Sequence, residues 1–377
     1  MAEIIRASHP AFHPERVSLV VTTRGRPQQF LEMAVSACGL IARPEETDLW
    51  VFLDEDDVTG RDLIATVNET PMAPFVNWLI APRQAALGQA QNIVCAAALE
   101  TSGLVLGYPD DFRLASPGWD DILRHAYREC PGRLALHYIQ DPTAQPEQIT
   151  IMAASKEWID TIGYFIPAHF PYWFGDNWLD EVSQLAGMKR RLDIVQVADG
   201  GKGKTRRMWN LPFWSRYYRL CRLERLRDAL KLTEAAGDAV RSADLRARLE
   251  AERSVPLPAH ENSLRNVITE LRLSSETAPP NRSYLEAEAR ACRQLSEWAS
   301  RDPAAFHGFE IDGFDVDAAL AASDLATGVS QVEQQRICKA LLSGRAWGAI
   351  AEETGVGVGR LLEWRNAAAL TLQLVQG

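Results

Sequence analysis

Leu49-Trp50-Val51-Phe52-Leu53-Asp54-Glu55-Asp56-Asp57 sets the architecture: five apolar residues run straight into an acidic cluster with no turn residue between them. An unbroken short apolar run is the pattern of a strand buried on both faces, and the carboxylates then stand on its carboxyl end. On its amino-terminal side, Val17–Thr22 (V-S-L-V-V-T) repeats the strand signal, and Gln28–Leu40 carries apolar residues at helical spacing. On the other side, Phe75–Ile80 predicts a strand and Ala85–Glu100 an Ala-rich helix. Leu104–Gly107 predicts a brief strand ending in Tyr108-Pro109-Asp110-Asp111. Leu134–Ile139 and Thr150–Ala154 read as further strands, Trp178–Ala186 as a helix, and Leu192–Val197 as the last strand. Strands alternating with helices predict an α/β fold with a largely parallel sheet, in which ligands bind beyond the strand carboxyl ends. Both acidic clusters fall at such ends.

At 377 residues the chain exceeds what one hydrophobic core usually serves, so two or three domains are expected. Hydrophobic residues at 46% and charged residues at 24% are ordinary for a soluble globular protein. No apolar run approaches the roughly 20 residues needed to span a bilayer. Met1 to Pro14 has neither a basic region followed by an apolar stretch nor a small-residue cleavage site, so a cytoplasmic protein is expected. Cys38, Cys95, Cys130, Cys221, Cys292 and Cys338 form no C-x-x-C pair, which fits reduced thiols better than a zinc site or a disulfide framework. A net charge of -10 disfavours a polyanionic partner over the whole surface and directs attention to local patches.

One such patch follows the last strand. Gly200-Gly201-Lys202-Gly203-Lys204 reads as a basic loop, and Lys202–Lys231 interleaves lysines and arginines, Arg206 and Arg207 among them, with Trp209, Phe213, Trp214, Tyr217 and Tyr218. Such a stretch fits a phosphate backbone with stacked bases or a membrane interface; it fits equally an amphipathic helix packed on its neighbour with solvated arginines. Beyond Pro212 long Arg- and Leu-rich helices replace the strand signals. The expected domains are therefore 1–210, 211–330 and 331–377. In the last, I-C-K-A-L-L-S-G-R-A-W-G-A-I-A-E-E-T-G-V-G-V-G-R-L-L-E-W resembles a helix-turn-helix. There Ile350 and Ala351 would pack inward, Gly355 would make the turn, and Arg360 to Arg365 would lie on the recognition helix. Gly357 and Gly359 weaken that helix, and trihelical units of this kind also serve protein contacts alone.

Over about residues 15 to 205 the order of these pieces resembles the family-2-type glycosyltransferases with the GT-A fold. Thr22-Thr23-Arg24-Gly25-Arg26-Pro27 is similar to the family's P-T-Y-N-R-P loop after the first strand, where the nucleotide docks. Asp54 matches the acid ending the second strand, which in relatives contacts the base or ribose of the donor. Arg83, Gly88 and Asn92 resemble the basic-Gly-Asn stretch leading into the next strand. Asp110-Asp111, followed by Pro117-Gly118-Trp119-Asp120, looks like the metal-binding acidic motif and its downstream helix start. Gly175-Asp176 resembles the Glu-Asp position of the catalytic base. The resemblance implies a mixed, mostly parallel sheet flanked by helices, a nucleotide-sugar donor with UDP favoured, and Mn2+ or Mg2+. The chain departs from the pattern in having P-D-D-F for D-x-D and no histidine after the last strand.

The chemistry of sugar transfer asks for the same residue types. A departing nucleoside diphosphate develops charge on phosphate oxygen, which an oxygen-ligated divalent cation and lysines stabilise. Asp110 and Asp111 suit the cation, and Lys202 and Lys204 suit the diphosphate. The acceptor hydroxyl needs a base, for which Asp176 is first choice and Asp180 or Glu181 stand in reserve. Carboxylates at strand ends also serve as helix caps or solvated turn residues, and Thr22–Pro27 also fits an ordinary βα turn. His125, His137 and His169 read as structural. The combination of a transferase with a DNA-binding unit points to duplex DNA bearing a hydroxymethylated base as acceptor. A glycan, lipid or protein acceptor, a scaffold with an inactive transferase domain, and a nucleotidyltransferase are the competing readings.

Overall fold

The computed structural model describes residues 2–198 except 9, 85, 86, 145, 168, 169 and 171–173, then 218, 219, 221–253, 350 and 353–355. In chain order the first elements are β1 (Glu3–Ile5), β2 (His13–Thr23), α1 (Pro27–Gly39), β3 (Thr47–Asp54), α2 (Gly60–Asn68), β4 (Val76–Ala81) and α3 (Leu87–Ala98). They continue with β5 (Ser102–Gly107), β6 (Phe112–Leu114), α4 (Trp119–Arg128), β7 (Leu136–Ile139), β8 (Ile151–Ser155), α5 (Lys156–Ile162) and α6 (Gly175–Ala186). Strands β9 (Lys189–Leu192) and β10 (Gln196–Ala198) and helices α7 (Arg222–Ala235) and α8 (Ala239–Arg253) complete the set.

The main sheet has eight strands in the order β1-β4-β3-β2-β5-β8-β7-β9. Parallel pairing joins β2 to β3, β3 to β4, β2 to β5 and β7 to β9. The pairs β1·β4, β5·β8 and β7·β8 are antiparallel. This is the mostly parallel, mixed sheet flanked by helices that the sequence leads one to expect. Helix α3 packs on β2, β3 and β5, and α5 on β5 and β8. Every residue of β4 and β5 is buried, as are all of β3 but Asp54, which explains why those strands are apolar without alternation. Trp50, Trp78, Trp119, Trp158 and Trp178 are among the largest fully buried side chains.

The chain leaves β2 toward β3 and β4 on one side and returns to β5 on the other. That reversal opens a crevice beyond the carboxyl ends of β2 and β5, the place where open α/β sheets bind ligands.

Below the crevice, polar side chains pin the connections. Asp120, at the start of α4, accepts hydrogen bonds from the Ala42 amide (2.8 Å), the Arg43 amide (3.1 Å), Thr47 Oγ1 (2.9 Å) and Arg124 Nη1 (2.7 Å). Arg124 also donates to the carbonyls of Glu15 and Glu46. A buried ion pair with this many partners is the form in which buried charge is tolerated.

One expected element divides. Leu192–Val197 is not a single strand: β9 ends at Leu192 in the main sheet, while β10 pairs antiparallel with β6 in a separate two-stranded sheet. Between them the Val195 amide donates to Ser116 Oγ at 2.8 Å and its carbonyl accepts from the Ala115 amide at 2.8 Å, which turns the chain toward β6.

The structure resolves into two compact units. The first, Met1–Ala168, Gly175–Thr205 and Glu224–Arg248, contains both sheets. Within it α7 is fastened by a polar cluster: Tyr164 donates to Asp228, Trp178 Nε1 donates to Tyr164 Oη at 2.8 Å, and Arg225 Nε pairs with Glu181 at 2.8 Å. The second is His169–Phe174, Arg206–Leu223 and Leu249–Gly377. Its described residues include a packed trio of Phe170, Phe174 and Tyr218, with centroid separations of 5.5 to 6.2 Å. Cys38, Cys95, Cys130 and Cys221 are free thiols, and burial pushes that of Cys38 up to about 12, which makes it unreactive. Cys292 and Cys338 lie outside the described residues. No helix among the described residues is long and apolar enough to cross a membrane.

Candidate functional site

The loop leaving β2 and the acidic segments leaving β3 and β5 meet at the crevice. Thr22 and Thr23 end β2 beside Phe52 and Leu53 of β3. Thr23 Oγ1 donates to Asp110 Oδ2 at 2.6 Å, and both side chains are buried. Arg24 Nη1 donates to Asp54 Oδ2 at 2.9 Å, and Arg24 Nη2 to Asp56 Oδ2 at 3.1 Å. The Gly25 amide donates to Asp57 Oδ2 at 2.8 Å. Arg26 pairs through Nη2 with Asp110 Oδ1 and through Nη1 with Asp111 Oδ2, the latter at 3.3 Å.

Electrostatics follow from depth. Burial raises the Asp110 carboxyl, and Arg26 and Thr23 oppose the rise. Burial likewise raises Asp54, with Arg24 and the more distant Arg83 acting against it. The exposed Asp56 is lowered by its bond to Arg24. Arg83 is itself exposed after β4, at the same edge. Asp56 and Asp57, which no sequence argument had singled out from the acidic run, thus fix the loop that carries the two arginines.

Asn92 has a different set of partners from those of a residue facing a ligand. Its Nδ2 donates to the Ile166 carbonyl at 2.7 Å, and its Oδ1 accepts from the amides of Phe165 and Ile166, each at 2.9 Å. The segment it holds is pressed against β5, since a Cβ at Gly107 would lie 2.8 Å from the Phe165 ring. At its other end, a Cβ at Gly175, the first residue of α6, would lie 3.0 Å from Ile166. Residues 165–167 therefore border both the strand that leads to Asp110 and the helix that begins with Asp176.

Of the three carboxylates considered as base, Asp180 pairs with Lys189 Nζ at 2.6 Å and accepts from Gln184 at 2.7 Å. Glu181 pairs with Arg225. Asp176 accepts from the Asn177 amide at 2.9 Å, and burial raises its carboxyl. Among the described residues no cation offsets that rise, and a raised carboxyl has the proton affinity that a base requires.

No family model matches this sequence, and no curated protein does. Among solved structures it is similar to a mannosyltransferase from Pyrobaculum calidifontis in complex with GDP-Man and Mn2+, at 12% identity over 93% of this chain and 89% of that one, with a TM-score of 0.42. It is also similar to residues 1–349 of S. aureus TarS in complex with UDP-GlcNAc, at 10% identity over 77% and 89% of the respective chains, with a TM-score of 0.45.

Lys202, Lys204, Arg206, Arg207, Arg360 and Arg365 lie outside the described residues. Of the helix-turn-helix pattern, residues 350 and 353–355 are described: Ile350 is buried, Thr354 Oγ1 donates to its carbonyl at 2.6 Å, and Gly355 has a φ of +66°. Among the described residues no group of three or more His, Cys, Asp or Glu side chains is placed to hold a metal ion.

Proposed function

We propose that this chain is a glycosyltransferase that moves a sugar from a nucleotide-sugar donor to an acceptor hydroxyl. The observation that carries the reading is the convergence of Arg24 and Arg26 with Asp54, Asp110 and Asp111 beyond the carboxyl ends of β2, β3 and β5. Such a place binds nucleotides in open α/β sheets, and here it offers both cations for phosphate and carboxylates for ribose or metal.

The chain's own residues divide the work. Arg24 and Asp54 hold the nucleoside; Arg26 faces the diphosphate. Asp110 and Asp111 suit Mn2+ or Mg2+, because Asp110 Oδ1 is buried and, among the described residues, accepts no hydrogen bond and has the Arg26 guanidinium beside it as counter-charge. A divalent cation there needs only one or two carboxylates, with phosphate oxygens and water completing its shell. When bound, it would neutralise charge developing on the departing diphosphate. Asp176 takes the acceptor proton, and Asn92 positions the segment between Asp110 and Asp176. Lys202 and Lys204, in the basic loop after the last strand, suit further contacts to the diphosphate.

For the acceptor the reading is a hydroxymethylated base in duplex DNA, which rests on the sequence of residues 202–231 and 331–377. A glycan acceptor is the competing outcome. Release of nucleoside diphosphate is measured from UDP- and GDP-sugars with Mn2+, in the presence of hydroxymethylated DNA or of oligosaccharides. Transfer to either acceptor supports the enzyme and chooses between them. Salt-insensitive or absent DNA binding, with no transfer to that DNA, rejects the DNA acceptor.

A further inference from the structure

Arg26 occupies the position in which a cation would serve Asp110 and Asp111. Its two terminal nitrogens divide between the two carboxylates. The partners differ in freedom: Asp110 is fully buried and held from β2 by Thr23 at 2.6 Å, whereas the Arg26 side chain is 29% exposed. Arg26 precedes α1 and follows Gly25, whose φ is +62° and which has open space where a Cβ would stand. The Asp110 carboxylate is therefore fixed, and the guanidinium is the partner able to leave.

Competition for the same oxygens decides when it leaves. Arg26 pairs with the carboxylates that would hold a divalent cation. A cation held by Asp110 and Asp111 would crowd like charge against the guanidinium at one point. A diphosphate arriving at the same edge brings negative charge that an arginine fork can take up in bidentate fashion.

Resting on the glycosyltransferase reading, we propose that Arg26 is a latch that holds Asp110 and Asp111 in the empty site and transfers to the donor's diphosphate. Metal and donor then bind as a coupled pair, each raising the affinity of the other. Arg24 supplies the contrast: its partners, Asp54 and Asp56, are not the cation's, so it affects the nucleotide without opposing the metal.

The test is a titration of the full chain with Mn2+, reading the free ion by electron paramagnetic resonance, without nucleotide and with saturating UDP or GDP. Wild type is expected to bind Mn2+ weakly alone and much more tightly with the nucleoside diphosphate. Arg26→Gln is expected to bind Mn2+ alone about tenfold more tightly than wild type, the size of one lost charge-assisted contact, and to lose most of the nucleotide enhancement. Arg24→Gln should weaken the nucleotide and leave Mn2+ alone unchanged. Should Arg26→Gln fail to fold, Arg26→Lys, which keeps the charge and loses the fork, is expected to shift in the same direction by less. Coupling in wild type with an unchanged or weaker Mn2+ affinity in the Arg26 variant overturns the latch and leaves the enzyme reading intact. Absence of Mn2+ binding in every protein, with UDP and GDP alike, overturns the latch and the metal assignment to Asp110 and Asp111, while the enzyme reading stands or falls on nucleotide-sugar binding itself.

Discussion

Thr23 Oγ1 donates to Asp110 Oδ2 at 2.6 Å, joining the last residue of β2 to the acidic segment after β5 at the point where the sheet changes direction. The bond ties a buried carboxylate to the end of the neighbouring strand. Thr23→Val preserves shape but leaves that oxygen without its donor. We expect a loss of about 1–3 kcal/mol in unfolding free energy, read by urea denaturation, together with weaker Mn2+ binding. An unchanged midpoint would mean the bond contributes nothing to holding Asp110.

Asp111→Asn removes a charged ligand at constant volume, so transfer and metal-enhanced donor binding should both disappear while the circular dichroism spectrum is retained. Near-normal turnover would contradict the metal assignment. Asp54→Ala, by contrast, should raise the donor requirement more than it lowers the chemical step, because its proposed contact is made equally before and during reaction.

Asp176→Asn should keep donor affinity and lose most of the turnover, since it deletes the base and little else. Asp180→Asn breaks the pair with Lys189 and Glu181→Gln the pair with Arg225, so both should lower stability and spare turnover. Turnover lost in either of those, and kept in Asp176→Asn, would move the base by one helical turn.

Two buried groups make opposite contributions to acid stability. Burial pushes Asp48, which accepts from Ser18 and lies at the start of β3, up to about 6 from an ordinary 3.8; its contribution is greatest at low pH and is lost as pH rises to about 6. Burial pushes His137 in β7 down to about 4 from 6.5; its contribution is present above that range and is lost as pH falls toward 4. The two offset each other between about pH 4 and 6. Asp48→Asn should unmask a stability that rises with pH across that window, measured by chemical denaturation. A flat profile in the variant would remove Asp48 from the account.

Much of the sheet-bearing unit is legible because burial writes itself into apolar pattern. Strands β2 to β5 are unbroken apolar runs, and helices α1 and α3 show helical spacing, so each was found within a few residues of its ends. Helix α4 was visible only as a start at Trp119, because its buried face includes Asp120 and Arg124, whose burial depends on partners from Glu15 to Thr47. The β9 and β10 strands merged in the sequence because the break between them is made by Ser116, far away in the chain. At the site, the residue types at the strand ends could be read, but their pairing could not. Arg24 meets Asp54 and Arg26 meets Asp110 only because β2 lies between β3 and β5. Asn92 looked like a donor contact, and its backbone partners at 165 and 166 appear only once the chain is folded.

The central claim is that the crevice beyond β2, β3 and β5 binds a nucleotide sugar with a divalent cation. Isothermal titration calorimetry of the full chain against UDP-, GDP- and other nucleotide sugars, with and without Mn2+, tests it most directly. The account predicts one donor class whose affinity rises with Mn2+ and whose metal enhancement is lost in Asp111→Asn. Binding of no nucleotide sugar, with Mn2+ or without it, would contradict the account.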